Sequence, residues 1–265
     1  MASIGFIGAG NMGGAIARGL SLRKDVKLFG FDLDREKLGA LAGETGMEPT
    51  SSLPELVKHS EFILLAVKPQ HLEQVVRDTA ELLSPDKCLI SIAAGITSES
   101  IRQWAGSRCP VVRVMPNTPA LAGSGVFALC LDDPALPDEK KEQIRLFFEG
   151  QGNVHIIPES LFDGFTAVIG SGPAYVIYFM EALIDAAVTL GIPRNAAADM
   201  VVSLFDGSVD LIRESGRSLA SLREMVCSPG GSTIAGLNHF DRRAVRGALI
   251  DGVLQAFARN KELGE

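Results

Sequence analysis

Short apolar runs alternate with amphipathic segments and turns through the first 160 residues: "SIGFIG", "VKLFGF", "FILLAV", "CLISIAA", "VVRVMP" and "GVFALC". This rhythm predicts parallel strands joined by crossover helices. The fold class expected is α/β, with an N-terminal Rossmann-type doubly wound sheet over residues 1–158 and a C-terminal all-α dimerisation domain over 159–265. Beyond Pro158 the strand signals stop. Helical spacing covers 173–190, 195–215, 218–226, 232–238 and 241–262, with Pro173, Asn195, Ser218 and Asp241 as start signals.

The stretch "AYVIYFMEALIDAAVTL" is apolar nearly all round, and Tyr178, Glu181 and Asp185 form its one polar stripe. Such a helix is buried on most sides. A helical domain of about 100 residues has too little interior to bury it alone. A homodimer or larger homo-oligomer, formed through the helical domain, is expected to cover it.

Composition adds little to the fold but removes several functions. With 46% hydrophobic and 22% charged residues the chain is of ordinary globular type. A net charge of -7 and a pI near 5.2 leave no dominant basic face, so no nucleic-acid partner is expected, and Arg242, Arg243 and Arg246 read as a solvated helix face. No apolar run approaches the roughly 18 residues of a membrane span. The start "MASIGFIGAG" lacks a signal-peptide pattern, so no membrane partner and a cytoplasmic location are expected. Cys88, Cys109, Cys130 and Cys227 lie far apart without zinc or disulfide spacing and read as buried thiols; no metal site is expected.

The chemistry begins at "IGFIGAGNMGGAIARGL", where Gly8-x-Gly10-x-x-Gly13 separates a strand from a helix. Gly8 suits the tight turn, Gly10 the approach of a pyrophosphate, and Gly13 the close packing of helix on strand. Free N–H groups at the helix start favour phosphate. Asp32 follows Gly13 by 19 positions, at the end of "VKLFGF", where a carboxylate would hold an adenosine ribose and favour NAD. Arg35 either pairs a 2′-phosphate or lies solvated beside Asp34, Glu36 and Lys37, so NADPH and NADH both remain open. "LLAVKPQ" and "SIAAGIT" end further strands with small or turn-forming residues, suited either to a nicotinamide ribose and ring or to ordinary connections. Near the end of the chain, "SPGGST" interrupts the helical half. It is either a turn capped by Ser232 or Thr233, or an anion-binding nest of the Gly230, Gly231 and Ser232 amides.

Together "GFIGAGNMGGAIARGL", "LLAVKPQ", "SIAAGI", "VRVMPNTPALAGSG", "TAVIGSGPAYVIYFMEALIDAAVTLGI" and "CSPGGSTIAGL" resemble the pyrroline-5-carboxylate reductase family, in order from residue 5 to residue 237. The resemblance implies NAD(P)H-dependent reduction of a cyclic imino acid, 1-pyrroline-5-carboxylate, to L-proline. It also implies a helical domain through which subunits dimerise. By position it places Gly8, Ala9, Gly10, Asn11, Met12 and Gly13 at the pyrophosphate. Ala66, Val67, Lys68, Pro69, Ala93, Ala94 and Gly95 fall on the nicotinamide side, and Asn117 orients the ring region. Ser228, Gly230, Gly231, Ser232 and Thr233 receive the substrate, whose carboxylate is the handle, and Glu159 lies near the same pocket. Thr233 is the catalytic candidate, a hydroxyl able to follow the ring nitrogen from imine to amine. Glu159 either steadies that nitrogen or caps a turn after Pro158. Asp32 departs from the small or neutral residue usual in NADPH-using members.

Two rivals are weaker. A hydroxyacid dehydrogenase of similar layout needs a lysine after the sheet domain, but no lysine occurs between Lys141 and Lys261. A non-catalytic dinucleotide sensor would have no use for the second-domain loop. The histidines, His59, His71, His155 and His239, read as surface or core residues.

Overall fold

The computed structural model describes Met1–Gly264. Strands β1 (Ala2–Ile7), β2 (Val26–Phe31), β3 (Glu48–Pro49), β4 (Phe62–Leu65), β5 (Cys88–Ser91), β6 (Val111–Met115), β7 (Gly125–Cys130) and β8 (Gly152–Ile156) form one sheet. Its order is β3-β2-β1-β4-β5-β6-β7-β8. The crossovers include helices α1 (Asn11–Ser21), α2 (Arg35–Thr45), α3 (Leu53–His59), α4 (Pro69–Thr79), α5 (Ser98–Trp104) and α6 (Asp138–Glu149).

Period-two alternation explains why the runs are apolar throughout. In β4, Phe62 and Leu64 enter a core cluster with Ile4, Phe6 and Ile90, while Ile63 and Leu65 enter another with Ile7 and Leu89. Both faces are covered, so every position is buried. Register follows from this, because a slip of one residue would exchange the two faces. Ile7 pairs with Phe31 on one side and Leu65 on the other, and Leu65 with Ser91, so four strands end at one level. The order reverses between β1 and β4, which leaves a crevice at their carboxyl ends.

Two departures from the expected sheet have physical causes. β7 runs antiparallel to β6, with Val114 opposite Leu129. Only the short Pro116–Ser124 connection joins them, and a parallel return needs a crossover of roughly a dozen residues or more. β3 and β8 carry no apolar run: β3 is two exposed residues, and β8 is mostly exposed at the sheet edge.

The chain divides into two compact units, Met1–Ser171 together with the stretch from Ala256 onward, and Gly172–Gln255. The boundary expected from the sequence lies at 158. The first unit extends past it through α7 (Phe162–Phe165) and a π-helical turn (Thr166–Gly170), because Phe162 is buried with Met115, Ala128 and Cys130. The second unit holds α8 (Gly172–Thr189), α9 (Arg194–Ser215), α10 (Leu219–Met225), α11 (Ser232–Arg242) and the start of α12 (Val245–Gly264). Ser218 caps α10 as expected, accepting from the Ser221 N–H. Asp241 does not start α12. It lies inside α11, and the break falls at Ala244, whose φ is +52°.

Within the second unit the polar stripe Tyr178, Glu181 and Asp185 lines a groove with Arg194 and Ala198 of α9, and Arg194 pairs Asp185 at 2.8 Å. The rest of α8 is open, with Val176, Ile177 and Phe179 exposed. The helical run Glu159–Thr189 is long and apolar enough, by length and composition, to cross a membrane. It is not an unbroken apolar run, because Asp163, Ser171, Gly172 and Pro173 interrupt it and Ser171 is a bend between the π turn and α8. Cys88, Cys109 and Cys130 are buried, whereas Cys227 is only half-buried. Burial pushes the Cys109 thiol up to about 11.

Candidate functional site

The glycine loop stands in the crevice between β1 and β4. Gly8 N–H donates to Phe31 O at 2.9 Å and Ala66 N–H to Ile7 O at 2.9 Å, so the three strand ends are tied together. Gly8 turns at φ +105°, and a Cβ there would lie 2.7 Å from Ala66 O. At Gly13 a Cβ would lie 2.7 Å from Gly8 O and 2.8 Å from the Ala66 Cβ, so α1 sits against the loop and β4 only because both positions lack side chains. Gly10 differs, having nothing within 4 Å of where a Cβ would point. It is the N-cap of α1, where no side chain caps the first-turn amides.

That open space belongs to a cleft of about 570 Å³. Gly8, Gly10, Asp32, Ala66, Val67 and Lys68 line it, so six of the sequence-identified residues meet there. Asp32 accepts the Ala9 N–H at 2.6 Å and the Asp34 N–H at 2.8 Å. Lys68 precedes Pro69, the first residue of α4. Asn11, Met12 and Gly13 form the first turn of α1, with Met12 packed against the core. Arg35 is turned elsewhere, donating to Thr50 O at 2.7 Å and Ser51 O at 2.8 Å. Leu53, His71, Gln74 and Val75, to which no local motif points, also line the cleft. Only the fold brings α3 and α4 there, although the spacing of His71, Gln74 and Val75 on one helix face was a usable signal. The residues present fit a dinucleotide: small residues at the turn, unfilled space over Gly10 and free helix-start amides.

After β5, the Ala93 N–H donates to Ser91 Oγ at 3.3 Å, Ala94 packs beside Phe162, and Gly95 turns at φ +77°. Gly95 lines a second cavity, of about 550 Å³, with Thr97, Arg113, Glu159 and Asp163. Asn117 is buried, and its Oδ1 accepts the Val126 N–H at 2.9 Å. Its Nδ2 donates to Ile169 O at 3.4 Å, so the amide clamps β7 and the π turn.

Glu159 is held by three donors: the Ser98 N–H at the start of α5 (2.7 Å), the Ser98 hydroxyl, and Arg113 Nη1 (2.7 Å). It therefore caps α5 rather than a turn after Pro158. Arg113 is only 5% exposed and lies 4.8 Å from the centre of the Phe162 ring. Burial alone would raise the Glu159 carboxyl, but the Ser98 hydroxyl, Arg113 and the Ser98 amide outweigh it and hold the group below the ordinary value of 4.5. A lowered carboxyl contributes its full stability above the unfolded value and loses it as pH falls through the folded one. The wild type is thus expected to lose more stability than Glu159→Gln as pH falls through the ordinary carboxyl value of 4.5 and below it, as read by urea midpoints.

In the second unit, Ser228–Thr233 forms an exposed turn. Gly230 has φ +71° and Gly231 is the N-cap of α11. One expected nest amide is engaged, because the Gly231 N–H donates to Ser228 O at 3.0 Å. No side chain caps α11, so Ser232 and Thr233 keep their hydroxyls free of the capping role that the sequence left open for them.

A family model described as pyrroline-5-carboxylate reductase dimerisation matches residues 159–263, and one described as NADP oxidoreductase coenzyme F420-dependent matches residues 3–95. The pyrroline-5-carboxylate reductase of Escherichia coli (strain K12) is 32% identical over 265 residues, 99% of this chain and 98% of its own. The Pisum sativum enzyme of the same name is 34% identical over 264 residues, 98% of this chain and 96% of its own. The chain belongs to the pyrroline-5-carboxylate reductase family. A Plasmodium falciparum pyrroline carboxylate reductase solved with NADP bound superposes with a TM-score of 0.90 at 32% identity, covering 100% of this chain and 98% of that one. The likeness covers both the sheet-bearing unit and the helical segment of this chain.

Proposed function

We propose that this chain reduces 1-pyrroline-5-carboxylate to L-proline with NADPH or NADH, in the cytoplasm, as the last step of proline biosynthesis. The observation that carries the reading is the end-to-end likeness to reductases of that name, which spans the glycine cleft and the SPGGST turn alike. The nicotinamide cofactor supplies the hydride. This chain's own residues bind and orient. Gly8 to Gly13 and the first turn of α1 hold the pyrophosphate, and Ala66 to Pro69 with Ala93 to Gly95 flank the nicotinamide side. The amides of Gly230 and Ser232, with the Ser228 and Ser232 hydroxyls, hold the substrate carboxylate. Thr233 hydrogen-bonds the ring nitrogen, since its hydroxyl both donates and accepts. The proton that makes the imine electrophilic arrives with the substrate or through water. Asn117 acts through the loop it clamps, as a positioning residue.

The exposed apolar face of α8 supports a homodimer or larger homo-oligomer, with a second copy covering Val176, Ile177 and Phe179. The dimerisation description of residues 159–263 agrees with this assignment.

The test mixes purified protein with chemically prepared pyrroline-5-carboxylate and each reduced cofactor, then follows absorbance loss and proline formation. Absence of proline rejects the proposal. Thr233→Ala is expected to lower kcat roughly 10- to 100-fold with cofactor affinity unchanged. A kcat equal to wild type would remove Thr233 from the site.

A further inference from the structure

The geometry points to Asp32 as the residue that makes this chain prefer NADH over NADPH, with Arg35 withdrawn from the adenosine side. The inference rests on the reductase reading only in taking the glycine cleft as the dinucleotide site.

Asp32 lines that cleft, and both of its oxygens are fixed by backbone donors, Oδ2 by Ala9 and Oδ1 by Asp34. Each carboxylate oxygen has a second acceptor position. A pair of ribose hydroxyls can donate to those positions. A 2′-phosphate offers only acceptors and further negative charge, and a carboxylate pinned by two amides cannot rotate out of its way. Asp78 lines the same cleft and adds to the negative field.

Accepting a 2′-phosphate there requires a cation close to Asp32. Arg35 is the nearest arginine in sequence, but its two terminal nitrogens hold Thr50 O and Ser51 O, and its guanidinium carbon lies 5.1 Å from the centre of the Phe31 ring. Turning it into the cleft would give up both hydrogen bonds and the ring contact. Lys37 also lines the cleft, as a point charge without the planar fork that suits phosphate. The set therefore reads a free 2′-hydroxyl.

The test titrates purified protein with NADH and with NADPH, following nicotinamide fluorescence with no imine present. NADH is expected to bind at least tenfold more tightly. Asp32→Ser is expected to tighten NADPH, weaken NADH and shift their affinity ratio at least tenfold towards NADPH. Asp32→Asn keeps an acceptor for the backbone without the charge, and is expected to shift the ratio the same way should the serine variant fail to fold. Arg35→Ala is expected to leave the ratio where it was. Equal or tighter NADPH binding by the wild type overturns the inference, as does an unmoved ratio in Asp32→Asn. A preference for NADPH that vanishes in Lys37→Ala also overturns it and passes the discrimination to that lysine. Tight NADH binding without proline formation would instead sink the reductase reading and leave this inference standing.

Discussion

Gly13→Val is expected to weaken dinucleotide binding by more than 100-fold and to destabilise the first unit by about 1 to 3 kcal/mol. The added Cβ meets Gly8 O at 2.7 Å and the Ala66 Cβ at 2.8 Å. Neither neighbour is a flexible side-chain end, so relief requires α1 to move away from β4, and the helix start leaves the crevice with it. Gly10→Ala provides the contrast. Its methyl group meets nothing within 4 Å and the backbone angles, φ -67° and ψ 178°, suit any residue, so the fold tolerates it. The methyl group nevertheless occupies space that a pyrophosphate needs. Fluorescence titration should show both variants impaired, and urea unfolding should show only Gly13→Val destabilised. If Gly10→Ala bound cofactor as the wild type does, the pyrophosphate would lie elsewhere.

Glu159→Ala is expected to cost about 3 to 5 kcal/mol, because it leaves Arg113 buried with no carboxylate partner. Glu159→Gln should cost less, since its amide oxygen still accepts from Ser98. These variants separate the clamp on Ser98 and Arg113 from the substrate-side reading, in which Glu159 steadies the ring nitrogen; a cap on a turn after Pro158 is already set aside by those contacts. A structural clamp predicts a fall in urea midpoint with KM for the imine unchanged in protein that remains folded. A raised KM with unchanged stability would return Glu159 to the substrate.

Much of the sheet was legible because its strands are buried on both faces, and burial on both faces forces an unbroken apolar run. The six runs named from the sequence are β1, β2, β4, β5, β6 and β7. β8 escaped because an exposed edge strand such as "GNVHI" needs no such run. The direction of β7 was readable in principle from the short link after Met115. The break at Ala244 was not, since a non-glycine residue at positive φ leaves no mark in composition. The glycine loop and Asp32 were legible through their fixed spacing, as local turn geometry is. Arg113 was not: a charge inside "VVRVMP" makes sense only beside Glu159, 46 residues away. The lining from α3 and α4 escaped for the same reason, because contacts between distant segments are written in the topology rather than in any local pattern.

The second unit is an insertion in the first, since the chain leaves after Ser171 and returns at Ala256. Two covalent threads therefore join the halves. A single protease nick in the exposed Gly216–Arg217 link between α9 and α10 would leave both pieces anchored by Asn260, whose amide donates to Asp163 at 2.7 Å, and by the packing around it. Cutting the helical half out as a free fragment takes two incisions, and closing the gap behind it means splicing 171 to 256.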